Sequence, residues 1–254
     1  MSIPKLVQGH PEMAKFIQRV NRFVVKCYLH GVGDIDAFMA NPGRLGELLL
    51  PGADIVLEQT GLSVSRKTQF KACAVYRGKT LIGLDTHLSN VVARYLINNG
   101  LVPGLELAEV IDSEVSIGNS RFDFLVRDRG ESYFVEVKSV SLSGNGIAMF
   151  PDAVTERGKR HVRELADLGN PNKSHVILFL VQGSGNDLFM PDYHTDLNFA
   201  RTVFETKDRV RFIPIGISWD ESLRLSSTVK LLSIPWEFIG DRMGDTGSYL
   251  LSLK

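Results

Sequence analysis

Cysteine is scarce in this 254-residue chain. Cys27 and Cys73 are too few for a disulfide framework or an all-cysteine zinc site, and both read as buried thiols. Long apolar runs are missing too. The longest, such as Val176 to Val181, fall far short of the roughly 20 residues that cross a bilayer. Met1 to Gln8 lacks the apolar core and small-residue cleavage site of a secretory signal. The expectation is therefore a cytoplasmic protein with no membrane partner. Net charge is absent as well, with 29 basic against 29 acidic residues. A composition 44% hydrophobic and 23% charged excludes disorder and fibrous repeats, and the chain is long enough to bury one large core or two smaller ones.

The zero sum conceals an asymmetry. Residues 1–80 hold eleven basic and six acidic side chains, a net +5, which leaves −5 for the remainder. A basic N-terminal part joined to an acidic C-terminal part suits a grip on a polyanion beside something that holds cations. On this reading Arg44, Arg66 and Lys67 are candidate phosphate contacts. A solvated surface with chance unevenness is the competing reading.

The first 85 residues read as short strands punctuated by turns: Arg19 to Leu29, Asp34 to Ala40, Ala53 to Gln59, Thr68 to Tyr76 and Lys79 to Leu84. About five strands with no long helix suggest a small OB-like β-barrel. After Asp85 the texture changes. The spacing predicts a helix from Leu88 to Asn98, strands over Glu109–Ile117, Ser120–Val126 and Tyr133–Val140, and a helix from about Thr155 to Leu168. A strand over His175–Val181, a helix over Asp196–Glu205 and a strand over Val210–Ile217 follow. Strands interleaved with helices make residues 86–254 an α/β domain behind a barrel of residues 1–85, α+β overall.

One hairpin carries the chemistry. Arg129-Gly130 supplies a tight turn, and a hairpin centred there pairs residues whose numbers add to 259. Asp123 and Glu136 then lie directly opposite, and period-two alternation puts Phe134, Glu136 and Lys138 on one face. Two carboxylates facing each other across a ladder repel unless a proton or a cation intervenes. Mg²⁺ or Mn²⁺ fits, held by Asp123, Glu136 and the carbonyl of Val137, with water completing the shell. Lys138 would hold a phosphate or help deprotonate the attacking water. The competing reading is a wet hairpin face neutralised by Arg121 and Lys138.

Asp123 followed by Glu136-Val137-Lys138 resembles the active-site signature of the PD-(D/E)XK nuclease superfamily. Its surroundings are more specific: Gly118-Asn119-Ser120-Arg121-Phe122-Asp123-Phe124, Glu136-Val137-Lys138-Ser139-Val140, Phe150-Pro151-Asp152-Ala153-Val154-Thr155-Glu156-Arg157-Gly158 and the early Asn41-Pro42-Gly43-Arg44-Leu45. Together they resemble the sugar fermentation stimulation protein family over nearly the whole chain. The resemblance implies an OB-like domain followed by a PD-(D/E)XK nuclease-like domain, and a DNA-binding protein with a regulatory role in sugar metabolism. Carried over, Asp123, Glu136 and Lys138 are the catalytic set, and Arg157 and His161 on the following helix are nucleic-acid contacts. Three departures stand out. Phe38-Met39-Ala40 replaces the family's His-Cys-Pro, and Ser89-Asn90-Val91 replaces Pro-Asn-Arg. The helix before the first site strand has no acidic residue, so Glu114 is a substitute metal ligand. The sequence thus supports a Mg²⁺-dependent nuclease that binds DNA, or a non-catalytic DNA-binding regulator on the same scaffold. RNA as the partner and homo-oligomer formation stay open.

Overall fold

A computed structural model describes residues 2–60, 68–118, 120–169 and 175–251. Six strands form the N-terminal sheet: β1 Pro11–Asn21, β2 Val24–Leu29, β3 Gly33–Phe38, β4 Asp54–Gln59, β5 Phe70–Arg77 and β6 Thr80–Gly83, in the order β3-β2-β1-β4-β5-β6. Parallel pairing of Ala37 with Phe70 and Phe38 with Lys71 joins β3 to β5 and closes five strands into an OB-like barrel, with β6 as an appendage of β5. Closure removes the edges that open strands would expose. Alternation fills the inside: Ala14, Phe16, Val25, Cys27, Ile55, Leu57 and Val75 form the barrel core. Leu45, Leu48 and Leu49, from the loop between β3 and β4, pack into the same core. The predicted strand Arg19 to Leu29 is in fact a hairpin, turning at Arg22-Phe23. Its first half was hard to read because β1 buries fully only Ala14 and Phe16.

The second half begins with helix α1 Thr86–Asn98, capped by the Asp85 side chain. Strands β7 Glu109–Ile117, β8 Ser120–Asp128 and β9 Glu131–Val140 follow, then the short β10 Ser143–Gly144 and β11 Ile147–Phe150. Helix α2 Glu156–Leu168, capped by Thr155, leads to β12 His175–Gln182, β13 Leu188–Pro191, α3 Leu197–Glu205, β14 Val210–Ile217, β15 Lys230–Leu231 and α4 Trp236–Leu251. The main sheet runs β15-β14-β12-β9-β8-β7, with β14, β12 and β9 mutually parallel, and β10, β11 and β13 make a small second sheet. Every residue of β12 is buried, as a central strand covered on both faces requires. Helix α1 covers one face through Val92, Ala93, Leu96 and Ile97, and α2 and α3 cover the other through Val162, Leu165, Phe199 and Val203.

The two halves share an apolar seam. Val56, Cys73, Ala74 and Leu81 of the barrel cluster with Leu6 and Val7, and Leu88, Trp219 and Leu223 pack against them. Polar ties flank it. Arg77 donates to the carbonyl and hydroxyl of Ser143 at 2.9 and 2.7 Å, and Thr86 donates through its backbone N and Oγ1 to the carbonyl of Ala40 at 3.1 and 2.9 Å. Cys27 and Cys73 are free and fully buried, and burial pushes both thiols up to about 12. Among the described residues no helix is long and apolar enough to cross a membrane.

Candidate active site

The β8–β9 hairpin has the register its turn dictates. Arg129 and Gly130 both take positive φ, and the ladder runs from Asp128↔Glu131 to Phe124↔Val135. There it stops. Strict alternation would place Phe122 and Phe124 on one face, yet Phe124 packs into the core under α1 and Phe122 into the core under α2. The strand therefore turns over at Asp123. Asp123 Oδ2 accepts the N–H of Val137 at 2.7 Å, and Oδ1 accepts from the Asn90 side chain of α1 at 2.8 Å. The carbonyl of Val137 lies on the same strand edge as that N–H, past the end of the β8 ladder.

Glu136 is 3% exposed. Its Oε1 accepts from Lys138 Nζ at 2.5 Å and lies 2.6 Å from Nδ1 of His161, while its buried Oε2 has no hydrogen-bond partner. A carboxylate only accepts, so the proton of His161 sits on Nδ1, and Nε2 accepts from Arg157 Nε at 3.4 Å. The electrostatics of the two acids diverge. Burial pushes Asp123 above the ordinary carboxylate range, the charge of Glu136 adds to this, and bonds from Val137 and Asn90 and the charge of Lys138 offset only part. Burial also acts on Glu136, but Lys138 and His161 outweigh it and hold that carboxyl below the ordinary range. Ionisation is thus disfavoured at Asp123 and favoured at Glu136.

Asp123, Glu136, Val137 and Lys138 open onto a cavity of about 530 Å³ between the two halves of the chain. Its other walls include Arg157 from α2 and Arg22 and Asn41 to Gly43 from the barrel. That barrel loop is held from beneath. The Arg19 guanidinium donates to the carbonyls of Asn21, Arg22, Asn41, Gly43 and Arg44, and the Arg44 N–H donates to Asp152 at 3.1 Å. A Cβ at Gly43 would stand 2.8 Å from Asp152 Oδ2, so a larger residue there would displace the carboxylate that accepts the Arg44 N–H.

Some sequence candidates sit elsewhere. Glu114 takes a positive φ on β7, pairs with the exposed Arg121 at 2.7 Å and is not on the cavity wall, so it does not join Asp123 and Glu136. His161 is 1% exposed and lies behind Glu136 rather than facing the cavity, which replaces direct substrate contact by support of Glu136 and Arg157. Gly158, His161, Val162, Leu165 and Ala166 share the buried stripe of α2, and that helical spacing was the signal that the expectation of a nucleic-acid contact passed over. Arg44 is exposed, beside the cavity. Arg66 and Lys67 lie outside the described residues. Asn90, Arg19 and Arg22 were missed: a neutral amide gives no signal of its own until a partner comes near, and the two arginines, one on β1 and one in the turn after it, entered only the charge sum of residues 1–80. Among the described residues no three His, Cys, Asp or Glu side chains gather into a group that could hold a metal.

Comparison with known proteins assigns the lineage. The sugar fermentation stimulation protein RE domain matches residues 87–222, and the SfsA N-terminal OB domain matches residues 17–84. The chain belongs to the sugar fermentation stimulation protein family. Among relatives in this family, the homolog of Clostridium novyi (strain NT) is 39% identical over 191 residues, 75% of this chain and 82% of that one. The homolog of Clostridium botulinum (strain Langeland / NCTC 10281 / Type F) is 36% identical over 197 residues, 77% and 85% of the two chains. A solved family structure, Pyrococcus furiosus SfsA in complex with Ca²⁺, matches with a TM-score of 0.80 and 26% identity, over 92% of this chain and 99% of that one.

Proposed function

We propose that this protein binds DNA and hydrolyses phosphodiester bonds with a divalent cation, Mg²⁺ or Mn²⁺, at Asp123, Glu136 and Lys138. The observation that carries the reading is the unpartnered, buried Oε2 of Glu136 beside an Asp123 whose ionisation is disfavoured, on the wall of a cavity shared by both domains. A cation held by Asp123, Glu136 and the Val137 carbonyl relieves both defects, and two carboxylates plus water are an ordinary set for Mg²⁺. The relative bound to Ca²⁺, another hard cation with oxygen ligands, supports it. When bound, such a cation polarises a phosphoryl oxygen and acidifies a coordinated water. The residues do the rest. Asn90 and the Val137 N–H fix the Asp123 carboxylate, and His161 fixes Glu136. Lys138 brings a positive charge to the wall where the phosphate would sit, and Arg157 brings a second.

A binding protein without turnover, regulating transcription of sugar metabolism, is the second reading. It is favoured by the absence, among the described residues, of three His, Cys, Asp or Glu side chains grouped so that they could hold a metal. The deciding experiment incubates purified protein with labelled DNA and RNA, single- and double-stranded, in Mg²⁺, Mn²⁺ or EDTA. Metal-dependent cleavage that disappears in Asp123→Ala and Glu136→Ala supports the nuclease. DNA binding with no cleavage in any metal leaves the regulator.

A further inference from the structure

The barrel carries large rings that no core needs. Phe23 and Phe38 are 42% and 43% exposed, and their rings stack with centroids 6.4 Å apart and planes 27° from parallel. The Arg22 guanidinium sits over Phe23 at 5.4 Å from the ring centre and lines the cavity that holds Asp123 and Glu136. Phe38 in turn lines a separate groove of about 850 Å³ on the barrel, with Val24, Ala40 and Phe70. His87 lines both spaces, so groove and cavity are neighbours. Two carboxylates in the groove are engaged within the protein. Glu58 accepts the N–H groups of Gln8 and Gly9 at 2.8 and 2.6 Å, and Asp85 holds Lys71 at 2.5 Å while capping α1. Arg22 is a cationic side chain that both covers a ring of the pair and lines the cavity.

We propose that the barrel feeds an unpaired polynucleotide strand to the cavity, with bases stacking on the Phe23–Phe38 pair and in the groove, and a phosphate held by Arg22. This rests on the nucleic-acid reading above and narrows its substrate to single strands. Stacking on a protein ring needs a free base face. In a duplex both faces of each base are covered by its neighbours in the stack, so Phe38 has nothing to offer an intact double helix. Arg22 suits the junction because a planar guanidinium can lie on an aromatic ring and still donate to a phosphate.

The test is fluorescence anisotropy of the full-length protein with a labelled oligothymidylate of about 20 nucleotides and with a duplex of the same length, both in EDTA so that no cleavage intervenes. Wild type is expected to prefer the single strand. Phe38→Ala should weaken single-strand binding about tenfold and leave duplex binding within about twofold, and Phe38→Trp should restore it. Arg22→Ala should lower the slope of log affinity against log salt by roughly one unit. Wild-type preference for the duplex, no single-strand binding, or equal losses on both substrates in Phe38→Ala would overturn the proposal. Cleavage in Mg²⁺ is scored separately. Phe38-dependent single-strand binding by a protein that cleaves nothing supports this inference while ending the nuclease reading. Duplex cleavage indifferent to Phe38→Ala does the opposite.

Discussion

Glu136 and His161 form a buried pair, Oε1 to Nδ1 at 2.6 Å, with the imidazole on α2 and the carboxylate on β9. Both side chains are buried. Removing the ring should leave Glu136 with Lys138 alone and open a gap against Phe122, whose ring centre lies 5.7 Å from the imidazole. His161→Ala is expected to lower stability by about 2 kcal/mol or more, and His161→Asn, which keeps a donor near the Nδ1 position, by less. Urea unfolding with an unchanged m-value would report it. A loss below about 0.5 kcal/mol in the alanine variant would mean that Lys138 suffices to hold Glu136.

Asp123→Asn separates a cation site from an internal salt bridge. In EDTA the variant should be as stable as wild type or more so, because the amide keeps an oxygen for the Val137 N–H and its NH₂ can meet the Asn90 amide after that group flips. Mg²⁺ should stabilise wild type by about 2.7 kcal/mol at one hundred times Kd and the variant far less. Thermal melts of both proteins across a Mg²⁺ series check this. A destabilised variant together with a metal-insensitive wild type would contradict the cation site.

The two acids should also respond to pH with opposite signs. Asp123 has a raised pKa in the fold, so its contribution to stability is complete below its unfolded pKa and is lost as pH rises through the folded value. Glu136 has a lowered one, so its contribution is present above the unfolded pKa and is lost as pH falls through the folded value. Without metal, the advantage of Asp123→Asn over wild type should grow as pH rises through the folded pKa of Asp123 and vanish in acid. The penalty of Glu136→Gln should be largest near neutrality and shrink in acid. Urea melts from acid to neutral pH would show both trends, and parallel curves would contradict them.

The basic charge of residues 1–80 predicts phosphate contacts on the barrel side. Each contact removed among Arg44, Arg66 and Lys67 should lower the slope of log affinity for DNA against log salt by roughly one unit without changing sequence preference. An unchanged slope in an Arg66→Ala, Lys67→Ala double variant would move the grip elsewhere.

The hairpin could be read from the sequence because Arg129-Gly130 admits one short turn, and that turn sets the pairs back to Phe124 and Val135. The expected pairing of Asp123 with Glu136 falls just past the end of the ladder. The barrel emerged from strand spacing and turn residues, although β1 was read only in part. The reading failed where alternation fails. The reversal at Asp123 swaps the faces of Phe122 and its neighbours, and nothing in the local pattern announces a strand that leaves its ladder. Asn90 gives no signal for a related reason: α1 supplies an amide that donates to the acid on β8, where the nuclease pattern leads one to expect an acid. The placement of Arg19 and Arg22 depends on contacts more than 20 residues away or across the domain seam, which no local window contains.

The apolar seam joining Val56, Cys73, Ala74 and Leu81 to Leu88, Trp219 and Leu223 bears on how the molecule comes apart. Each half has its own core, so two independent meltings would be the natural expectation for a barrel and an α/β layer strung on one chain. A shared apolar cluster, with Arg77 and Thr86 bonded across it, makes the exposure of either half expensive for the other. The chain should accordingly show a single calorimetric peak whose van't Hoff and calorimetric enthalpies agree. Polar substitution at Cys73 or Leu81 should split that peak in two before it lowers the stability of either half alone.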